Sequence, residues 1–244
     1  MKLQLDAGNS YIKWRLMDAQ NNLLQRGEKA LGGEIISFFK EAEFLHKIRC
    51  LQITNVSNNE LEHDICNLFE EKVPECKIFR ACSKPRMSGV KFIYDDVTRL
   101  GVDRCLAMIA AYNKKNKGVL VIDCGSAMTA DIVQDSGNHM GGYIFPGFNL
   151  LKRSLLSGTS RVLVEFDVVE SYGLGKNTEE CVWNGVHLMM RSTLQGLVEL
   201  AKQYKVYDLV LTGGDGALAL SLIDGVGEYD SDLVFKGLNL ASLV

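Results

Sequence analysis

A chain of 244 residues, 47% hydrophobic and 23% charged, carries enough apolar material to bury one large core or two small ones, and is unlike the charge-rich composition of disordered segments. A formal net charge of −3, with no block of Lys or Arg, gives no general attraction to a polyphosphate backbone, so nucleic acid is not an expected partner. No apolar run reaches the ~20 residues needed to cross a bilayer, so no membrane is expected either.

The first element lies in LQLDAGNSYIKWRLMD (3–18). An apolar strand meets Asp6, turns through Gly8 onto small polar residues, returns as a strand from Tyr11 to Met17, and ends in the turn residues DAQNN. Asp6 also breaks the opening MKLQLDAG too early for a signal-peptide core. CLQITNV (Cys50 to Val56) reads as a strand, and GVDRCLAMIAAYNKK (101–115) as a helix, apolar on more than one side and therefore buried. The polar stretch NKKNKG, Asn113 to Gly118, reads as a linker and divides the chain into domains 1–115 and 116–244.

VIDCGSAMTADIV (121–133) then repeats the opening pattern: a strand into Asp123, a turn at Gly125, a second strand from Thr129 to Val133 and the turn residues DSGN. GGYIFPG (141–147) is a short apolar strand framed by glycines and Pro146. In NLLKRSLLSGTSRV (149–162), Leu150, Leu151, Leu155 and Leu156 fall at helical spacing and are expected to pack. The stretch from Glu179 to Lys205 reads as a long buried helix, with Trp183, Met189 and Met190 in a core or an interface. VYDLVLTGG (206–214) is a strand ending in glycines, followed by the apolar ALALSLI.

The offset of 117 residues between Asp6 and Asp123 also pairs Gly8 with Gly125 and Asp18 with Asp135, so each half opens on the same hairpin. An Asp at the end of a buried strand costs stability unless a cation or a hydrogen-bond donor meets it. A neighbouring glycine lets backbone N–H groups approach an anion. Together they suit a phosphate and its metal, with Asn9, Ser10 and Lys13 adding donors in the first copy and Ser126 and Thr129 hydroxyls in the second. A single Asp-x-Gly is more often a plain turn with a solvated Asp; two copies at matching positions favour a phosphate clamp. Neither GxxxxGK[ST] nor a GxGxxG after the first strand occurs, which excludes the Walker type and disfavours a dinucleotide site. LTGGDG (211–216) could admit a base or ribose against backbone, or be a strand-to-helix turn. Seven cysteines without a CxxC pair favour free thiols in a reducing cytoplasm, and four histidines show no zinc-site spacing.

In order along the chain, DAGNS (6–10), GVDR (101–104), DCGSAMT (123–129), GGYIFPG (141–147), GKNT (175–178) and LTGGD (211–215) resemble type III pantothenate kinases, members of the acetate kinase, sugar kinase, Hsp70 and actin superfamily. The resemblance implies an α/β fold of two ribonuclease-H-like, actin-like ATPase domains with mixed sheets flanked by helices. The first would carry one phosphate motif, the second another together with the adenosine motif. It further implies ATP with Mg2+, a monovalent cation (potassium or ammonium), pantothenate as phosphoryl acceptor at the entry to coenzyme A, and a homodimer. By the same resemblance Asp6, Ala7, Gly8, Asn9, Ser10, Tyr11, Ile12, Lys13 and Ser126 bind ATP, and Asp123 ligates the monovalent cation. Tyr94, Gly101, Val102, Asp103, Arg104 and Thr178 contact pantothenate, with Asp103 the catalytic proton acceptor. Ser126 stands where the family usually has Thr, keeping the hydroxyl and losing the methyl, a change that bears on nucleotide affinity.

From the residues themselves, GVDR opens a helix where free N–H groups favour anions. Asp103 there can accept a hydroxyl proton, and Arg104 can hold a carboxylate or phosphate. Equally, Asp103 could complete a helix cap with Arg104 as a surface cation. Two other functions compete: another small-molecule kinase of the superfamily, separable by the acceptor used, and a non-enzymatic transcription accessory factor, against which the acidic balance argues.

Overall fold

The computed structural model of the chain describes residues 1–32, 34–56, 59–158 and 173–243. The elements run β1 (Lys2–Ala7), β2 (Tyr11–Met17), β3 (Leu23–Ala30), α1 (Ile35–Lys40), β4 (Cys50–Asn55), α2 (Asn59–Lys72), β5 (Lys77–Arg80), the short pair β6 (Arg86–Met87) and β7 (Val90–Lys91), and α3 (Val102–Lys115). They continue as β8 (Val119–Cys124), β9 (Ala127–Val133), β10 (His139–Pro146), α4 (Phe148–Gly158), α5 (Thr178–Gln203), β11 (Asp208–Thr212), α6 (Gly216–Leu222), β12 (Glu228–Tyr229) and α7 (Leu233–Ala241). Two compact units result, Met1–Ala110 with Asp232–Val244, and Ala111–Ser231.

Each unit is built on a five-stranded mixed sheet, in the orders β3-β2-β1-β4-β5 and β10-β9-β8-β11-β12. In both, the first three strands in sequence are antiparallel and the last two run parallel to the first. The repeat seen in the two hairpins therefore extends to the whole sheet, with mixed sheets flanked by helices as expected.

The strand registers refine that repeat. Asp6 pairs with Lys13, whereas Asp123 pairs with Thr129, so the second hairpin is one residue shorter and the offset beyond it falls to 116. Asp18 then corresponds to Gln134, not to Asp135. The turns agree: Asp18 N donates to Asn22 O at 3.0 Å and Gln134 N to Asn138 O at 2.9 Å, with Asn21 (φ 64°) and Gly137 (φ 78°) at the same left-handed position. Asp135 instead accepts the Gly118 N–H at 2.5 Å. The Asp18/Asp135 identity is thus not structural.

In the first unit one sheet face is apolar. Leu3, Leu5, Ile12, Trp14, Leu16, Leu51 and Ile53 pack against Ile35, Phe39, Ile65 and Phe69 of α1 and α2, as strand alternation requires. The opposite face carries a polar rung, Arg15–Gln4–Gln52, in direct cross-strand register. Arg15 Nε donates to Gln4 Oε1 at 2.5 Å, Gln4 Nε2 to Gln52 Oε1 at 2.5 Å, and Gln52 Nε2 to Ser242 Oγ at 2.6 Å. Arg15 also pairs with Asp232 at 3.3 Å. These bonds, with buried Leu233, Phe235 and Leu238, bind α7 to the first unit. A division at 115/116 assigns α7 to the second half; its apolar face and the rung beneath it place it with the first.

The expected linker is also structured. Asn113 to Lys115 complete α3, Asn116 turns with φ 54°, and β8 starts at Val119. Lys114 reaches Glu228 at 2.8 Å and Asp230 at 3.2 Å, and Lys117 reaches Asp208 at 2.7 Å, so the lysines are ion-paired to β11 and β12 instead of solvating a loose segment. The second unit's core joins Leu120, Ile122, Met128, Ala130 and Ile132 to Val186, Met190, Leu194 and Leu197 of α5. In α4, Leu151 packs against this core while Leu150 and Leu155 are exposed; the side chain of Leu156, and residues 159–162 of that segment, lie outside what the structure describes.

Candidate active site

The first hairpin closes with Gly8 N donating to Tyr11 O at 3.0 Å, the second with Gly125 N donating to Ala127 O at 3.1 Å. A Cβ at Gly8 would meet nothing nearer than Tyr11 O at 3.4 Å, and one at Gly125 nothing nearer than Ala127 O at 3.5 Å. Neither glycine has a left-handed φ. The fold itself would therefore accept a side chain at both turns, and with glycine there the backbone N–H groups stay open to close approach.

Asp6 and Asp123 are half-buried; Asn9, Ser10, Tyr11 and Ser126 are exposed, and Lys13 is half-buried. Ala7 and Ile12 point into the core, so they offer a ligand only their backbone. Ser10 O accepts from Leu31 N at 3.0 Å. In register, Asp6 lies between Lys13 and Thr54, and Asp123 between Thr129 and Thr212. Each acid thus has a threonine beside it on the parallel neighbour strand. Thr54 and Thr212 escaped the sequence reading, although ITN at the end of β4 and LTG at the end of β11 repeat the signal.

The second hairpin is fixed by two glycines whose environments admit no side chain. A Cβ on Gly147 would collide with the backbone of Gly125 and Ser126, where Gly147 N donates to Ser126 O at 3.2 Å. A Cβ on Gly213 (φ +86°) would collide with the Asp123 carboxylate and the Cys124 backbone. Asp215 N donates to Cys124 O at 2.9 Å, so LTGGD is a strand-to-helix turn clasped to β8. The Cys124 thiol is pushed far up, first by burial and then by the Asp123 and Asp215 charges, and is inert as a nucleophile. Lys152 of α4 lies over the Trp183 ring, 4.5 Å from its centroid. Burial lowers its pKa, and Asp215 partly offsets that. His187, 4.4 Å from Trp183 between ring centroids, is lowered by burial and then by Lys152.

At the start of α3, Gly101 precedes Val102, and Asp103 sits in the first turn, its Oδ1 accepting the Arg104 N–H at 2.8 Å. Asp103 is inside the helix, not at its cap. Arg104 is only 7% exposed, which removes the surface-cation alternative. Its guanidinium donates to Tyr94 Oη at 3.1 Å and lies 5.9 Å from the ring centroid. Tyr94, Asp103 and Arg104 are therefore brought together as one polar group.

Thr178, in the second unit, opens α5 behind the cap Asn177, whose side chain accepts from Glu180 N at 2.8 Å while Glu180 accepts from Lys176 N at 2.8 Å. It lines a cavity of about 750 Å³ with Leu155, Lys176, Cys181, Val186 and Met189. Among the described residues no cluster of three or more His, Cys, Asp or Glu side chains forms a metal cage. Asp6 is a single carboxylate, the kind of protein ligand Mg2+ takes when phosphates and water fill its other positions.

A family model described as type III pantothenate kinase matches residues 2–200. A type III pantothenate kinase of Pseudomonas fluorescens is 34% identical over 99% of this chain and 98% of its own, and one of Azotobacter vinelandii 35% identical over the same shares. Among solved structures, a Campylobacter jejuni protein described as a Baf family transcriptional activator aligns with a TM-score of 0.60 at 24% identity, covering 97% of this chain and 95% of its own. A ROK family glucokinase of Streptomyces griseus aligns at 0.55 and 12% identity, covering 100% and 98%; both share the fold. The chain belongs to the type III pantothenate kinase family.

Proposed function

We propose that the chain transfers the γ-phosphoryl group of ATP to the primary hydroxyl of pantothenate, giving 4'-phosphopantothenate, the first step of coenzyme A synthesis. The observation that carries this reading is the polar group at the start of α3. A buried arginine held by Tyr94 beside an acid in the first helical turn suits an acceptor that bears both a carboxylate and a reacting hydroxyl. Asp103 accepts the proton of the attacking hydroxyl, and Arg104 with Tyr94 orients the acceptor's carboxylate.

Phosphoryl transfer depends on position and charge neutralisation more than on covalent chemistry. Backbone N–H groups of the Asp6–Lys13 hairpin and the Ser126 hydroxyl position the phosphates, Lys13 adds a positive charge, and Asp6 meets the nucleotide's divalent cation. Mg2+, when bound, offsets the charge that builds on the phosphate oxygens. Asp123 is assigned to a monovalent cation, potassium or ammonium, and Thr178 to pantothenate. The enzyme is assigned to the cytoplasm and to a homodimer, for which the exposed Leu188 and Met189 of α5 are suitable contact residues. A coupled ADP-release assay offering pantothenate, sugars and acetate tests the reading: turnover with pantothenate supports it, and turnover with a sugar alone overturns it.

A further inference from the structure

Thr54 is 1% exposed, and its Oγ1 has no hydrogen-bond partner among the described residues. A hydroxyl both dry and unbonded is a cost that a valine of the same shape would not carry. Its neighbours show what it can reach. Ile53 packs into the α1/α2 core, so Thr54 falls on the other face of the sheet, in register with Asp6. Side chains so paired on adjacent strands stand roughly 5 Å apart at Cβ, which puts the Asp6 carboxylate within one side-chain rotation of Oγ1. The second sheet repeats the arrangement with Thr212, 2% exposed, in register with Asp123.

We infer that Thr54 is a positioning residue for Asp6: when the hydrated cation of the bound nucleotide draws the carboxylate toward it, Thr54 Oγ1 donates to the other carboxylate oxygen and holds it there. The hydrogen bond missing in the free protein is made in the complex, where it is charge-assisted and strong. This rests on the kinase reading, in which Asp6 meets the nucleotide's cation.

Thr54→Val and Thr54→Ser separate the possibilities. The readouts are ATP affinity with and without Mg2+, by titration calorimetry, and the thermal midpoint of the ligand-free protein. Thr54→Val is expected to weaken Mg–ATP binding by about 10-fold or more, the loss of one hydrogen bond to a charged group, while metal-free ATP binding and the ligand-free midpoint do not fall. Thr54→Ser restores wild-type behaviour. Unchanged Mg–ATP affinity in Thr54→Val, or an equal loss with and without Mg2+ together with a lower midpoint, overturns the assignment. A wild type that binds no Mg–ATP sinks the kinase reading itself, an outcome distinct from either.

Discussion

Gly213 offers the sharpest test of how the second hairpin is held. Its φ of +86° lies in the left-handed region, where an L-residue with a Cβ loses about 1–2 kcal/mol. An alanine methyl would also be driven into the Asp123 carboxylate and the Cys124 backbone, and forcing atoms into filled space costs about 1–3 kcal/mol more. Gly213→Ala should therefore destabilise the protein by about 2–5 kcal/mol, a large share of the ~5–15 kcal/mol typical of a folded domain. Gly214 is the internal control: it has no left-handed φ, and a Cβ there meets nothing within 4 Å. Gly214→Ala should change stability by no more than about 0.5–1 kcal/mol. Urea unfolding of the two variants at neutral pH, followed by circular dichroism, measures the difference directly. Because relief of the collision displaces Asp123, Gly213→Ala should also bind nucleotide more weakly. Equal unfolding midpoints for the two variants would refute the packing argument, and with it the view that LTGGD fixes the acid.

Asp103→Asn should keep the fold and ATP affinity while kcat falls by roughly 10²- to 10⁴-fold; full turnover by this variant removes Asp103 from the mechanism. Tyr94→Phe deletes the 3.1 Å bond to Arg104 and should raise the KM for pantothenate by about 3- to 10-fold, with a smaller effect on the KM for ATP. Gln4→Leu leaves buried Arg15 and Gln52 without a partner in the rung and should cost about 2–4 kcal/mol of stability, read as a lower urea midpoint. Glu228 has its pKa lowered from 4.5, chiefly by its hydrogen bond to Lys114. A lowered carboxylate pKa gives stability that is present above about pH 4.5 and lost as pH falls through the folded-state value. Glu228→Gln should thus lower the thermal midpoint at pH 7, and the gap from wild type should close as pH falls through the lowered folded-state value; a gap constant with pH contradicts the pairing.

What the sequence exposed and what it hid divide along a physical line. Strands with one buried face announce themselves by alternation, so β2 is read to the residue at Tyr11–Met17, and α3 and α5 follow from their apolar repeat. Features that depend on what lies across a sheet or after a loop do not. The fourth strand of each repeat gives no warning that Thr54 and Thr212 stand beside the acids, because register is set by pairing and not by spacing along the chain. Nor does the apolar run of α7 say which sheet it covers; that is decided by Gln4, Arg15 and Gln52, more than 180 residues away, whose polar atoms need Asp232 and Ser242.

The two sheets repeat one strand order. Where the two sheets agree, in strand order, in the acid at the end of the first strand, and in the threonine beside it, the agreement places two similar carboxylate turns in one chain. Where they differ, the chemistry diverges. The first hairpin is a residue longer and sets Lys13 opposite its acid. The second is shorter, sets the neutral Thr129 there, and is pinned by Gly147 and Gly213. A turn with its own lysine suits the phosphate chain of the nucleotide, whose charge exceeds what one divalent cation offsets. A rigid acid without a cation in its rung suits a small ion that must be held at fixed distances. The two hairpins thus differ in charge through one residue of turn length and a lysine in one where the other has threonine.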